Sequence, residues 1–117
     1  MEQEQLFLEI ARYLPNDFRR ELVQRLFEIN EHSIRATSKD MQTNRVQLYR
    51  YLGLTKRRNY PSDEVTMRVL KALYQKRPAE LTHLLQQQLE RMKRLLEALS
   101  SQTPTPLFPL ETSGYLQ

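Results

Sequence analysis

Apolar side chains recur along this chain at intervals of three and four, the period of one helix face. Over residues 2–14 they are Phe7, Ile10, Ala11 and Leu14, and Pro15 closes the segment. A second helix is predicted over about 17–30, burying Phe18, Leu22, Val23, Leu26 and Ile29. Asn16 is placed as its cap, with Asp17 favourable beside the positive end of the helix dipole. A short third helix covers 33–41 with Ser33 as cap. Gln42 and Thr43 form the turn, and a fourth helix covers about 43–52, stopped by Gly53 in left-handed conformation. Residues 54–61 read as a loop. Ser62 then caps a fifth helix with Asp63 and Glu64 in its first turn, continuing to about residue 77. Its broad apolar stripe is Val65, Met67, Val69, Leu70, Leu73 and Tyr74.

Pro78 suits the first turn of a sixth helix, where its missing N–H leaves no bond unmade. That helix is predicted to reach about residue 99. Leu85, Leu89, Met92, Leu96 and Leu99 alternate at spacings of four and three, a heptad seam, and Leu81, Leu84 and Leu95 widen it. The seam follows a set of helices that already suffices to close a core. It is therefore assigned to a dimer interface, with packing inside the monomer as the rival. From Ser100 the chain reads SSQTPTPLFPLETSGYLQ, with four Pro/Gly breakers and little charge. A flexible tail is expected over 101–117.

Composition sharpens this picture. A chain of 117 residues builds one modest core. Its 39% apolar and 27% charged content suits helices with large solvated faces, and only two glycines argue against hairpins. The net charge of +4 is unevenly spread. Residues 1–31 hold four basic and seven acidic side chains, or −3, whereas 32–58 hold seven basic and one acidic, or +6. An acidic leader beside a basic centre implies a patch that faces a polyanion. With no cysteine there is neither disulfide nor thiolate metal site. No apolar run is long enough to span a bilayer, and MEQEQLFLEI lacks the order of a signal peptide. A soluble, cytoplasmic, nucleoid-associated protein is expected.

The chemistry concentrates in 31–61. On a wheel of about 100° per residue, placing Leu48 inward puts Tyr51 and Leu52 beside it. The opposite arc then carries Thr43, Val46, Gln47 and Arg50, with Tyr49 at its edge and Asn44 and Arg45 in the first turn. Arg can bond the major-groove edge of guanine twice, Gln or Asn that of adenine, and Val can touch the thymine methyl. Each residue alone is better read as a solvated side chain. Together, behind a short helix and before a basic loop, they read as a groove-facing surface. Lys56, Arg57, Arg58, Asn59 and Tyr60 supply charge and donors for phosphate oxygens, which give affinity and register without sequence information.

The stretch SKDMQTNRVQLYRYL, followed by KRRNYPSDEVTMRVLKAL, resembles the lambda-repressor/Cro-like helix-turn-helix family over residues 17–77, about half the chain. Ser38 matches the family's small residue four positions before the turn, Met41 the apolar residue preceding it, and Leu48 with Tyr51 the buried pair of the recognition helix. The sequence departs at Gln42, where the family usually has Gly, and at Thr37, usually apolar. The resemblance implies a sequence-selective binder of double-stranded DNA, dimeric and regulatory. Base contacts would fall on Thr43, Asn44, Arg45, Val46, Gln47, Tyr49 and Arg50.

The expected fold is all-α: a helix-turn-helix domain of about five helices, a long C-terminal helix and a flexible tail. The segments are an N-terminal helix at 1–15, the helix-turn-helix domain at 16–77, the dimerisation helix at 78–100 and the tail. No cofactor or metal is expected, because His32 and His83 lie far apart without carboxylates at ligand spacing. No Gly-rich phosphate loop or nucleophile context points to an enzyme. The alternatives are a helical protein-interaction adaptor and an architectural or repeat-DNA binder. RNA is less favoured, because only Tyr49 and Tyr60 offer stacking surfaces.

Overall fold

The structure, a computed structural model, describes residues 1–102; residues 103–117, and with them most of the expected tail, lie outside the described residues. Six helices follow one another: α1 (Gln3–Arg12), α2 (Asn16–Ile29), α3 (Ile34–Met41), α4 (Arg45–Leu52), α5 (Asp63–Lys76) and α6 (Pro78–Ser101). The described residues contain no strand, and the chain is all-α as its apolar period predicts.

Side chains that satisfy the free N–H groups at a helix start determine where three of these helices begin. Ser33 Oγ accepts from the Ala36 N–H at 3.0 Å, Asn44 Oδ1 from the Gln47 N–H at 2.8 Å, and Ser62 Oγ from the Val65 N–H at 3.2 Å. Each such cap contributes about 1 kcal/mol. Two expectations are corrected. Helix α4 starts at Arg45, not at Thr43, because Asn44 adopts extended φ/ψ and spends its oxygen as the cap. Asn16 does not cap α2; it is the first helical residue, and Pro15 holds the cap position without a side-chain bond. The proline fixes φ at −69° and its carbonyl accepts the Arg19 N–H, so the helix is entered one residue earlier.

Residues Met1–Leu81 form one compact unit. Thus α1 and the first turn of α6 fold together with α2–α5. Within it α5 packs against α1, α2 and α3, while α4 packs against α2 and α3. The core is Phe7, Ala11 and Leu14 from α1 and the turn behind it, Phe18, Leu22, Val23 and Leu26 from α2, Met41, Leu48 and Tyr51 from α3 and α4, Val69, Leu70 and Leu73 from α5, and Leu81. Burying one such leucine contributes about 2 kcal/mol. The α5 stripe is rotated from its expected centre. Thr66 and Ala72 are buried, whereas Tyr74 stays 43% exposed with its ring tilted against Phe7, centroids 5.5 Å apart.

One charged side chain belongs to the interior. Arg19 donates to the carbonyls of Leu14 (2.8 Å), Ala11 (2.7 Å) and Pro61 (3.0 Å) and to Asp63 Oδ1 (2.7 Å). Its guanidinium is thereby bonded from two distant stretches of chain, 11–14 and 61–63, which is how a buried cation is tolerated. The first turn of α6 is tied down as well: Glu80 receives both Nε and Nη2 of Arg25, and Leu81 is only 2% exposed. These bonds hold the Arg25 guanidinium more firmly protonated than usual, chiefly through Glu80 and then Glu28.

The second unit begins at Thr82. In it α6 continues to Ser101 and carries the heptad seam. Leu85 is half-buried, while Leu89, Met92, Leu96 and Leu99, with Leu95 beside them, are exposed on the single chain.

Candidate nucleic-acid interface

The candidate surface is built on α3, its turn and α4, two eight-residue helices linked by three residues. Gln42 adopts the left-handed conformation, φ 52° and ψ 46°, that glycine takes most easily. The turn therefore keeps the geometry without the glycine. Its N–H donates to Lys39 O and that of Thr43 to Ser38 O, so two carbonyls at the end of α3 are satisfied as in a glycine-terminated helix. The left-handed conformation costs about 1 kcal/mol in a residue with a Cβ.

Thr37, the other departure from the resemblance, is fully buried, and its hydroxyl accepts from Asn30 Nδ2 at 3.1 Å. Asn30 Nδ2 also donates to Asp40 Oδ2 at 3.0 Å, and Asp40 lies 3.6 Å from Lys76. A polar residue is thus accommodated at an inward position of α3 because α2 delivers a donor to it.

Helix α4 is oriented as its wheel predicts. Leu48 is fully buried and Tyr51 is 5% exposed, whereas Val46 is 52% exposed. Burial holds the Tyr51 phenol above its usual range, and nearby Arg68 partly offsets that effect. Asn44 and Arg45 are exposed, and Gln47, Tyr49 and Arg50 are half-exposed, so none of them is sealed in the interior. Thr43 is half-exposed in the turn before the helix.

The loop after α4 has two parts. Leu54, Lys56, Arg57 and Arg58 are exposed, and Thr55 Oγ1 donates to Arg57 O at 2.6 Å. Asn59 is half-buried and donates from Nδ2 to Gln47 Oε1 at 2.7 Å. Pro61 is buried, with its carbonyl held by Arg19. The loop therefore presents three cations on a stretch whose far end is anchored in the core.

Arg20 of α2 reaches the end of α4 without a signal in the sequence. The first two helices look acidic overall, so a basic contribution from α2 had no distinguishing signal beyond the Arg19–Arg20 pair. Arg20 Nε donates to Tyr51 O at 3.0 Å, satisfying a carbonyl in the last turn of α4. Its guanidinium lies 5.9 Å from the centre of the Tyr60 ring, a cation–π arrangement. Gly53 makes room for it: with φ 75°, a Cβ there would stand 2.8 Å from Arg20 Nη2. Arg58 is close by, its Nε 3.8 Å from the same point. A basic cluster from α2 and the loop thus sits at the C-terminal end of α4, where the helix dipole favours positive charge.

Both histidines are exposed; His32 sets its ring edge-on to Phe27 with centroids 5.1 Å apart. No group of three His, Asp or Glu side chains among the described residues is arranged to hold a metal ion. No helix among them is long and apolar enough to cross a membrane. In comparisons with known proteins, no family model, curated protein or solved structure matches the chain.

Proposed function

We propose that this chain binds double-stranded DNA sequence-selectively, reading the major groove with α4 and holding phosphates with the loop that follows, as a homodimeric transcriptional regulator. The observation that carries the reading is the pairing of opposite faces on one short helix. Leu48 and Tyr51 anchor α4 in the core, and Arg45, Val46, Gln47, Tyr49 and Arg50 remain accessible on the rest of its circumference. The loop that follows exposes Lys56, Arg57 and Arg58, and Arg58 meets Arg20 of α2 at Gly53, the end of α4. Such a helix supplies donors that discriminate bases, and the adjacent cations supply charge that attracts any duplex.

The exposed seam of α6 supports pairing of two chains. A two-fold dimer would select roughly palindromic DNA, with half-sites about one helical turn, or ~34 Å, apart. Titration of the full chain with cognate and random duplexes at several salt concentrations tests the reading. Arg50→Ala is expected to lose about tenfold on the cognate site and little on random DNA. Arg57→Ala is expected to weaken both alike and to reduce the salt slope by about one. Absence of duplex binding at moderate salt would sink the proposal and leave a helical adaptor.

A further inference from the structure

Two guanidinium groups from distant parts of the chain meet at the end of α4. We infer that Arg20 and Arg58 together clamp one phosphodiester of the duplex backbone, so that α2, which lies outside the helix-turn-helix pair, supplies a phosphate contact. The inference rests on the DNA-binding reading above and deepens it at one place on the surface.

Arg20 Nη2 lies 2.8 Å, and Arg58 Nε 3.8 Å, from a single point, the place that a Cβ on Gly53 would occupy. Like charges held this close repel one another unless an anion joins them. Arg19, Arg25 and Arg68 each have a carboxylate partner. Among the described residues neither Arg20 nor Arg58 makes an ion pair. Glycine at 53 keeps the seat open, since any side chain there would fill the point on which both arginines converge.

Arg20 is not free to swing away and relieve the repulsion. Its Nε donates to Tyr51 O at 3.0 Å, and its Cζ stands 5.9 Å from the centre of the Tyr60 ring. Those contacts use one of its five N–H donors and leave both Nη groups for a ligand. The end of a helix is ordinarily a poor seat for an anion, because its last carbonyls carry partial negative charge. Here the carbonyls of Tyr49 and Arg50 accept the N–H groups of Leu54 and Gly53, and that of Tyr51 accepts Arg20. A phosphodiester brings two unesterified oxygens, one for each guanidinium, and paired N–H groups are the usual grip of arginine on them.

The test uses the full chain and a duplex selected from a random pool, its phosphates replaced one at a time by uncharged methylphosphonates. Neutralising one phosphate in each half-site should cost the wild type about fivefold at ~0.1 M salt. Arg20→Gln and Arg58→Gln should each lose about fivefold on the all-phosphate duplex and lower the salt slope by about one. On the duplex lacking that phosphate neither variant should lose further, whereas other methylphosphonates should cost them what they cost the wild type. A mere brace for the loop would leave the salt slope unchanged and single out no phosphate. Only variants that melt with wild-type cooperativity are compared. If Arg20→Gln does not, the side-chain 15N resonances of Arg20 in the wild-type complex replace it. They should shift on binding the all-phosphate duplex and return toward their free values on the methylphosphonate one.

An unchanged salt slope for Arg20→Gln, different phosphates coupled to the two arginines, or Arg20 resonances blind to the methylphosphonate would each overturn the clamp while leaving DNA binding intact. A wild type that binds no duplex would overturn the DNA reading itself, and the clamp with it.

Discussion

Helices α5 and α6 carry apolar stripes of similar width, and the two stripes meet different fates. Along α5, Val69, Leu70 and Leu73 are sealed, because α1, α2 and α3 all lean on that helix. Along α6 only Leu81, in the first turn, is sealed; from Leu89 onward the leucines and Met92 are exposed on the single chain. A helical period therefore reports which side of a helix is apolar and leaves open what covers it. The changeover falls within α6 itself, so one helix holds both a buried first turn and an exposed apolar face.

The comparison breaks most visibly at its two sealed leucines. Leu70→Ala in α5 and Leu81→Ala in α6 should each cost about 3 kcal/mol in denaturant unfolding, independent of protein concentration. A small loss at Leu81 would mean that the first turn of α6 is dispensable to the fold. At the rim of α5, Tyr74→Ala removes an exposed ring that touches Phe7 and should cost only about 1 kcal/mol in the same titration. Leu89→Ala in dilute solution should fall within ~0.5 kcal/mol of the wild type, as for an exposed position. Sedimentation sharpens that point: Leu89→Lys with Leu96→Lys should convert a dimer to a folded monomer, and an unchanged mass would refute the seam as the interface.

The smallest effect concerns pH. Glu4 on α1 receives Lys71 on α5 at 2.5 Å, and that bond holds its carboxyl below the usual 4.5. The pair's contribution is present above the ordinary carboxylate value and is lost as the pH falls through the lowered one. Glu4→Gln should slightly flatten the acid limb of a thermal-melt series and leave neutral pH nearly unchanged.

Much of this architecture was legible because the signals are local. The inward turn of Leu48 and Tyr51 follows from their spacing, and Ser33, Ser62 and Gly53 mark helix ends through chemistry that acts within three residues. What escaped depended on distance or on competing uses of one side chain. Asn44 suits a cap and a base contact equally well, and only the φ/ψ of the folded chain shows that its oxygen serves the cap. Arg19 looks like any surface cation until carbonyls from α1 and the loop converge on it. Arg20 was hidden by the acidic character of its neighbours. The Asn59–Gln47 bond joins a helix to a loop with no periodic relation between them, so nothing in the spacing announces it.

The four bonds of Arg19 also have a consequence in time. Its acceptors lie at Ala11, Leu14, Pro61 and Asp63, so fraying of the end of α1 would strip partners from a cation that also clasps the base of the basic loop. These distant stretches are bound to open in one concerted event. Amide hydrogens near the end of α1 and at the start of α5 should then exchange with solvent on a common, slow clock, and the loop between them should inherit its steadiness from a helix it never touches in sequence.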